Sequence, residues 1–251
     1  MMVVKELIEA RWKAIICGLL ALILVVLSAA TYDLLKPALS NTSSQQMPQF
    51  LQQQVQQLTS SYNLYIWGNW FSKNGTEILA VLAAVLGAGL IAGEVSKGTI
   101  FLLLAKPISR ERTVLTKYAV SALILLAVAV LSSMALLVTA AIAGHPQQIG
   151  GVVISTLLLW LGELFVLSLA LLFSVLFKDV LRPLLCALII TILTAIPGFI
   201  PNWSAWSLTG YWSSQAAYLG QEFPTKALII CLVAAVLPLV LALTLFRRQA
   251  Y

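Results

Sequence analysis

Apolar residues run along this chain in six long blocks divided by short polar segments: Ala14 to Thr31, Glu77 to Ala92, Val114 to Ala143, Val152 to Phe177, Pro183 to Ile200 and Lys226 to Phe246. None shows the period-2 alternation of a barrel strand, and a helix needs only about 20 such residues to cross a hydrocarbon core of roughly 30 Å. A helix also satisfies its own backbone in lipid. The pattern therefore predicts an all-α integral membrane protein, a single transmembrane domain of six spans over residues 1–251.

The segments between blocks carry patterns of their own. Val4, Leu7, Ile8 and Trp12 fall on one side of a helix over residues 1–13, with Lys5, Glu6, Glu9 and Lys13 largely on the other, which predicts an interfacial helix before the first span. Residues 32–76 are polar and Gln-rich, yet Leu51, Val55, Leu58 and Tyr62 recur at helical spacing, which predicts an external loop with an amphipathic helix rather than a disordered Gln-rich loop. Between Ile196 and Trp212 two prolines interrupt the helix while Trp203, Trp206 and Trp212 keep the chain near lipid or protein. That combination suits a broken or re-entrant element at the interface, and an aromatic belt of Trp203, Trp206, Tyr211 and Trp212.

The stretch from residue 93 to 117 is the most charged in the chain. Gly98 and Thr99 introduce a six-residue apolar run, Ile100, Phe101, Leu102, Leu103, Leu104 and Ala105, and Lys106-Pro107 stop it. Six helical residues rise only about 9 Å, so this is a surface helix, not a span. Ser109 is positioned to cap the helix carrying Arg110, Arg112 and Lys117, and Glu94 has Lys97, Lys106 or Arg110 as prospective partners.

Composition agrees with the pattern. At 61% hydrophobic and 10% charged, the chain has too little polar surface to coat a water-soluble globule. The net charge of +6 is a matter of topology, since nucleic-acid binding needs the bases on one shared face. With the N-terminus inside, twelve of the fifteen Lys and Arg residues fall on the inner side, leaving Lys36, Lys73 and Lys226 outside. The positive-inside rule thus places both termini, and the 93–113 loop, in the cytoplasm.

Candidate chemistry is sparse. Gly93-x4-Gly98-Thr99 lacks the Lys of a P-loop, no hydrolase constellation occurs, and His145 is the one histidine. Cys17, Cys186 and Cys231 are scattered among the spans, so no disulfide framework, metal site or cofactor is expected. Glu163 stands near the middle of span four with Thr156, Ala170 and Ser174 on its stripe, facing protein or a wet cavity. A translocation-path role and a helix-gluing role are both open for it. Gly89 and Gly93 offer a close-packing pair.

Six spans, and the cytoplasmic series Glu94-x3-Gly98-Thr99-Ile100, Leu103-Leu104-Ala105-Lys106-Pro107-Ile108-Ser109-Arg110 with Lys117 beyond it, resemble the permease subunit of type-2 ABC exporters. The resemblance implies a subunit of the plasma (inner) membrane with no ATPase site of its own. It implies two separate cytoplasmic ATPase subunits as partners, and a second copy of the chain or a related permease. Ile100 to Ala105 become the coupling helix, with Glu94, Gly98, Thr99, Lys106, Pro107 and Arg110 around it. Glu163, Thr156, Ser174, Pro197 and Phe199 are the candidates for the translocation path. Spans with little fixed charge favour an amphipathic or hydrophobic cargo. The competing reading is an ATP-independent channel or secondary transporter that titrates Glu163.

Overall fold

The computed structural model describes residues 2–42, 60–101, 109–200 and 203–249, the side chains of residues 2, 3 and 35–42 excepted. Among the described residues every regular element is helical. In chain order they are α1 (Met2–Thr42), α2 (Tyr62–Ile66), a π-helical segment (Trp67–Asn74), α3 (Gly75–Gly89), α4 (Ala92–Ser96), α5 (Arg110–Ile142), α6 (Ile149–Leu176), α7 (Leu181–Ala195), α8 (Leu208–Trp212), α9 (Gln215–Tyr218) and α10 (Thr225–Arg248). Short 3-10 turns at Ile196–Phe199 and Ser204–Trp206 fill the interval after α7.

Among the described residues five helices are long and apolar enough to cross a membrane: Val4–Leu34 within α1, α5, α6, α7 with its 3-10 extension, and α10. The sixth expected span, 77–92, is α3, whose 15 residues rise about 22 Å and fall short of the hydrocarbon core. It does not stand alone, because α2, the π-helical segment and α3 follow one another without interruption from Tyr62 to Gly89. The expected end at Ala92 is corrected: the helix breaks at Leu90 and Ile91, and α4 starts afresh.

α6 is the centre of the bundle. Its apolar window is 72% buried, against 22% for α1 and α10 and 17% for α7. It packs against α10, α3, α7 and α5, while α1 rides on the outside of α5. Gly87 allows α3 to press onto α6, since a Cβ there would lie 2.6 Å from that of Ala170 and 2.7 Å from the Leu167 carbonyl oxygen. Trp160 Nε1 donates to the Ala122 carbonyl at 2.9 Å and the Tyr118 hydroxyl lies 2.9 Å from that of Ser168, tying α5 to the same core. The outer helices present Leu19, Ile23, Ile189, Ile192, Ile229 and Leu237 at about half exposure, an apolar coat that only lipid or another protein accommodates.

Two further expectations change. Residues 2–13 are no separate interfacial helix but the first turns of α1, which runs on through Lys13 and Ala14. Their apolar side, Val4, Leu7, Ile8 and Trp12, points outward, and Glu6 and Ala10 face the bundle. The aromatic belt also divides: Trp203 and Trp206 are exposed, whereas Trp212 is 1% exposed in a slot against α6 that exists because residue 162 is glycine. The N-cap expected at Ser109 is present, its hydroxyl accepting from Arg112 N at 3.3 Å. Of the Gln-rich 32–76 segment, Leu51, Val55 and Leu58 lie outside the described residues.

Candidate functional site

α4 is too short to be stable by itself, and its residues are held by what surrounds them. Gly98 takes φ +69°, a left-handed conformation that glycine adopts without penalty. The Gly98 N–H then donates to the Val95 carbonyl at 3.1 Å and the Thr99 N–H to the Glu94 carbonyl at 2.9 Å. This is the paired closure of a Schellman helix end. It accounts for the spacing Glu-x3-Gly-Thr, because the residue five positions after Glu94 is folded back onto it. The Thr99 hydroxyl accordingly hydrogen-bonds the Glu94 carboxylate.

That carboxylate is the hub of an ionic node. Lys117, whose side chain is only 2% exposed, donates to Glu94 Oε1 at 2.9 Å. Its ammonium also lies 2.6 Å from Glu6 Oε1 of α1, an ion pair outside hydrogen-bonding geometry. Lys5 donates to the same Glu94 oxygen at 3.1 Å. Lys5 also pairs with Glu9 at 3.5 Å, and Glu9 with Lys97 at 4.0 Å. Burial pushes the Glu94 carboxyl up, but the Thr99 hydroxyl, Lys117 and Lys5 outweigh it and hold the group down at about 2. The node joins α1, α4 and α5, three elements that share no other polar connection of this density among the described residues. A crevice of about 40 Å³ beside it, lined among others by Glu6, Lys13, Gly89 and Ser121, has room for water.

The partners foreseen for Glu94 need correction. Lys97 reaches Glu9 instead, Arg110 donates from Nη1 to the Gln249 carbonyl at 2.8 Å, and Lys106 lies outside the described residues. Arg110 and the neighbouring Glu111–Arg247 ion pair tie the start of α5 to the end of α10. Leu102, Leu103, Leu104, Ala105 and Pro107 also lie outside the described residues. At the edge of that run Ile100 is buried and Phe101 is 64% exposed. The contributions of Lys5 and Glu6 went unread in the sequence, where they looked like the wet side of a surface helix. The signal for Lys117 was its place as the last base of the series that starts at Glu94.

The path candidates are not gathered into one site. Thr156, Glu163 and Ser174 are all buried along α6, spread over about 27 Å of helix rise. Thr156 Oγ1 lies 2.7 Å from Ser133 Oγ of α5. Ser174 Oγ closes the break after α3, accepting from Ile91 N at 3.1 Å and Ala92 N at 2.8 Å and donating to the Ala88 carbonyl at 2.8 Å. Glu163 is fully buried, and neither carboxyl oxygen has a hydrogen-bond partner among the described residues. Pro197 and Phe199 lie instead at the end of the bundle, in the 3-10 turn after α7, with Phe199 85% exposed.

The sequence model of a protein family described as ABC-2 family transporter protein matches residues 2–205. No curated protein and no solved structure matches the chain. The matched region takes in α1, the ionic node and the whole α6 core, and the exposed apolar helices make the protein multi-pass in its membrane. The chain is a membrane permease belonging to the ABC-2 transporter family.

Proposed function

We propose that this chain is the transmembrane subunit of an ATP-driven exporter of the plasma (inner) membrane. Two copies, or this chain and a related permease, form the translocation path and rest on two cytoplasmic ABC ATPase subunits. The run from Tyr62 to Gly89 completes a set of six crossings, with both termini and the 93–113 loop inside. Ile100 to Ala105 form the coupling helix in a groove of the ATPase. The cargo is amphipathic or hydrophobic and leaves the cytoplasm.

The observation that carries this reading is the ionic node. A helix that receives a push from an ATPase must transmit it to the spans, and packed elements with charged ties move as units. Glu94 and Thr99, immediately before the coupling run, are tied through Lys117 to α5 and through Glu6 and Lys5 to α1. Displacement of the loop is thus delivered to two long helices at once. The exposed Phe101 supports docking, since an apolar ring left in water at the head of the run is suited to a protein groove. The buried Glu163, without a hydrogen-bond partner among the described residues, fits a closed conformation whose opening gives that carboxyl water, cargo or another partner.

The test is co-purification of the chain with its ATPase. Phe101→Asp and Leu103→Asp together are expected to lower ATPase recovery at least about ten-fold while membrane insertion is unchanged, the loss of two buried anchors in a groove. Full recovery of a functioning complex with both substitutions contradicts the docking assignment.

A further inference from the structure

A second site lies at the other end of the bundle. A cleft of about 1180 Å³ opens between the Tyr62-to-Gly75 run and the 198–215 element. Its walls include Leu64, Trp67, Phe199, Lys73, Glu77 and Ser213. α3 separates the cleft at its first turn from the break at Leu90 and Ile91 beside the ionic node by about 22 Å of helix rise, most of a hydrocarbon thickness. The cleft therefore sits at the level of lipid headgroups on the side opposite the ionic node.

The π-helical segment has a purpose in this arrangement. Leu64, Gly68, the adjacent pair Ser72 and Lys73, and Glu77 follow one another at intervals of four to five residues along one wall. In an uninterrupted α-helix, which turns about 100° per residue, Glu77 falls about 140° away from Leu64. The more slowly winding π-helical turns of Trp67–Asn74 bring the set closer to one face. Gly75 permits this by lacking a Cβ, which would stand 2.6 Å from the Trp70 carbonyl oxygen. Trp67 Nε1 donates to the Ser213 carbonyl at 2.7 Å and holds the two walls together.

Lys73 and Glu77 are both exposed, and neither has an ion-pair partner among the described residues. One cation and one anion stand a helical turn apart, beside the apolar Leu64, Trp67 and Phe199 and the hydroxyls of Ser60, Ser72 and Ser213. We propose that this cleft binds a phospholipid with a phosphate and a primary ammonium in its headgroup, the phosphate on Lys73, the ammonium on Glu77 and the acyl chains along Leu64, Trp67 and Phe199. A primary ammonium donates hydrogen bonds to a carboxylate, which a quaternary ammonium lacks, and a purely anionic headgroup meets the like charge of Glu77. This reading rests on the membrane placement proposed above but needs no ATPase, so failure of docking and failure of lipid binding are separately observed.

The experiment is native mass spectrometry of the full chain released from micelles containing equal phosphatidylethanolamine, phosphatidylcholine and phosphatidylglycerol. Wild-type protein is expected to retain phosphatidylethanolamine over the other two by about ten-fold, the size of one charge-assisted hydrogen bond. Glu77→Gln is expected to abolish that preference and raise retention of phosphatidylglycerol, and Lys73→Ser to lower retention of every phospholipid. Both side chains are exposed, so neither change disturbs folding. Equal retention of the three lipids by wild type, or the wild-type pattern in both variants, overturns the proposal. So does displacement of the lipid by soluble glycerophosphoethanolamine, which would assign the cleft to a headgroup without its chains.

Discussion

Replacing Lys117 by Met removes the buried ammonium that pairs with both Glu6 and Glu94. Methionine fills similar volume, so the loss is chiefly electrostatic. Breaking a buried ion pair by deleting one partner costs about 3–5 kcal/mol, because the other charge stays buried. Lys5 remains on Glu94 at 3.1 Å, but its side chain is about half exposed and compensates little, and Glu6 keeps no partner of comparable burial. We expect about 3 kcal/mol of destabilisation, a drop in melting temperature of roughly 6–12 °C for a chain of this size. Thermal unfolding in detergent measures it. The double variant Lys117→Met with Glu94→Gln is expected to recover part of the loss, a coupling of about 1–3 kcal/mol in the double-mutant cycle. A melting temperature within about 2 °C of wild type for Lys117→Met, or strictly additive changes in the cycle, refutes the idea that the node binds the loop to the helices.

The node has a pH signature with a definite sign. Glu94 is held at about 2 against an ordinary 4.5, so its contribution is complete above pH 4.5 and is lost as pH falls toward 2. The stability gap between wild type and Glu94→Gln is therefore expected to be constant from pH 7 to 5 and to shrink below 4.5; a gap that is unchanged at pH 3 contradicts this. Ser174→Ala leaves the buried amides of Ile91 and Ala92 without their acceptor, which costs about 1–3 kcal/mol. Faster hydrogen exchange confined to residues 88–96 checks it, and unaltered exchange there assigns the break to something other than Ser174.

Helix positions were legible because apolar blocks and caps are local signals, as the Ser109 cap on α5 illustrates. What escaped the sequence was set by distant partners. The break at Leu90 and Ile91 has no Pro to announce it, and its freed amides are taken by Ser174 from another helix. Residues 2–13 had the pattern of a surface helix, but the buried Lys117 draws Glu6 inward and turns the apolar side out. Trp212 looked like its belt neighbours until Gly162 gave it a slot. At the site the spacing of Glu94, Gly98 and Thr99 was visible, and its reason, a Schellman closure that returns Thr99 to Glu94, follows from Gly98 alone. The alignment of the cleft wall was not visible, because π-helical winding leaves no apolar period to read.

The most direct test of the central claim is a site-specific crosslink. A photoreactive side chain in place of Phe101, in cells that express the chain with its ATPase, is expected to yield a covalent adduct with that ATPase, and the adduct is expected to weaken when Lys117→Met loosens the loop. An assembled permease and ATPase that give no adduct from residue 101, while a reactive group elsewhere on the chain captures the ATPase, contradict the assignment of this stretch as the coupling element.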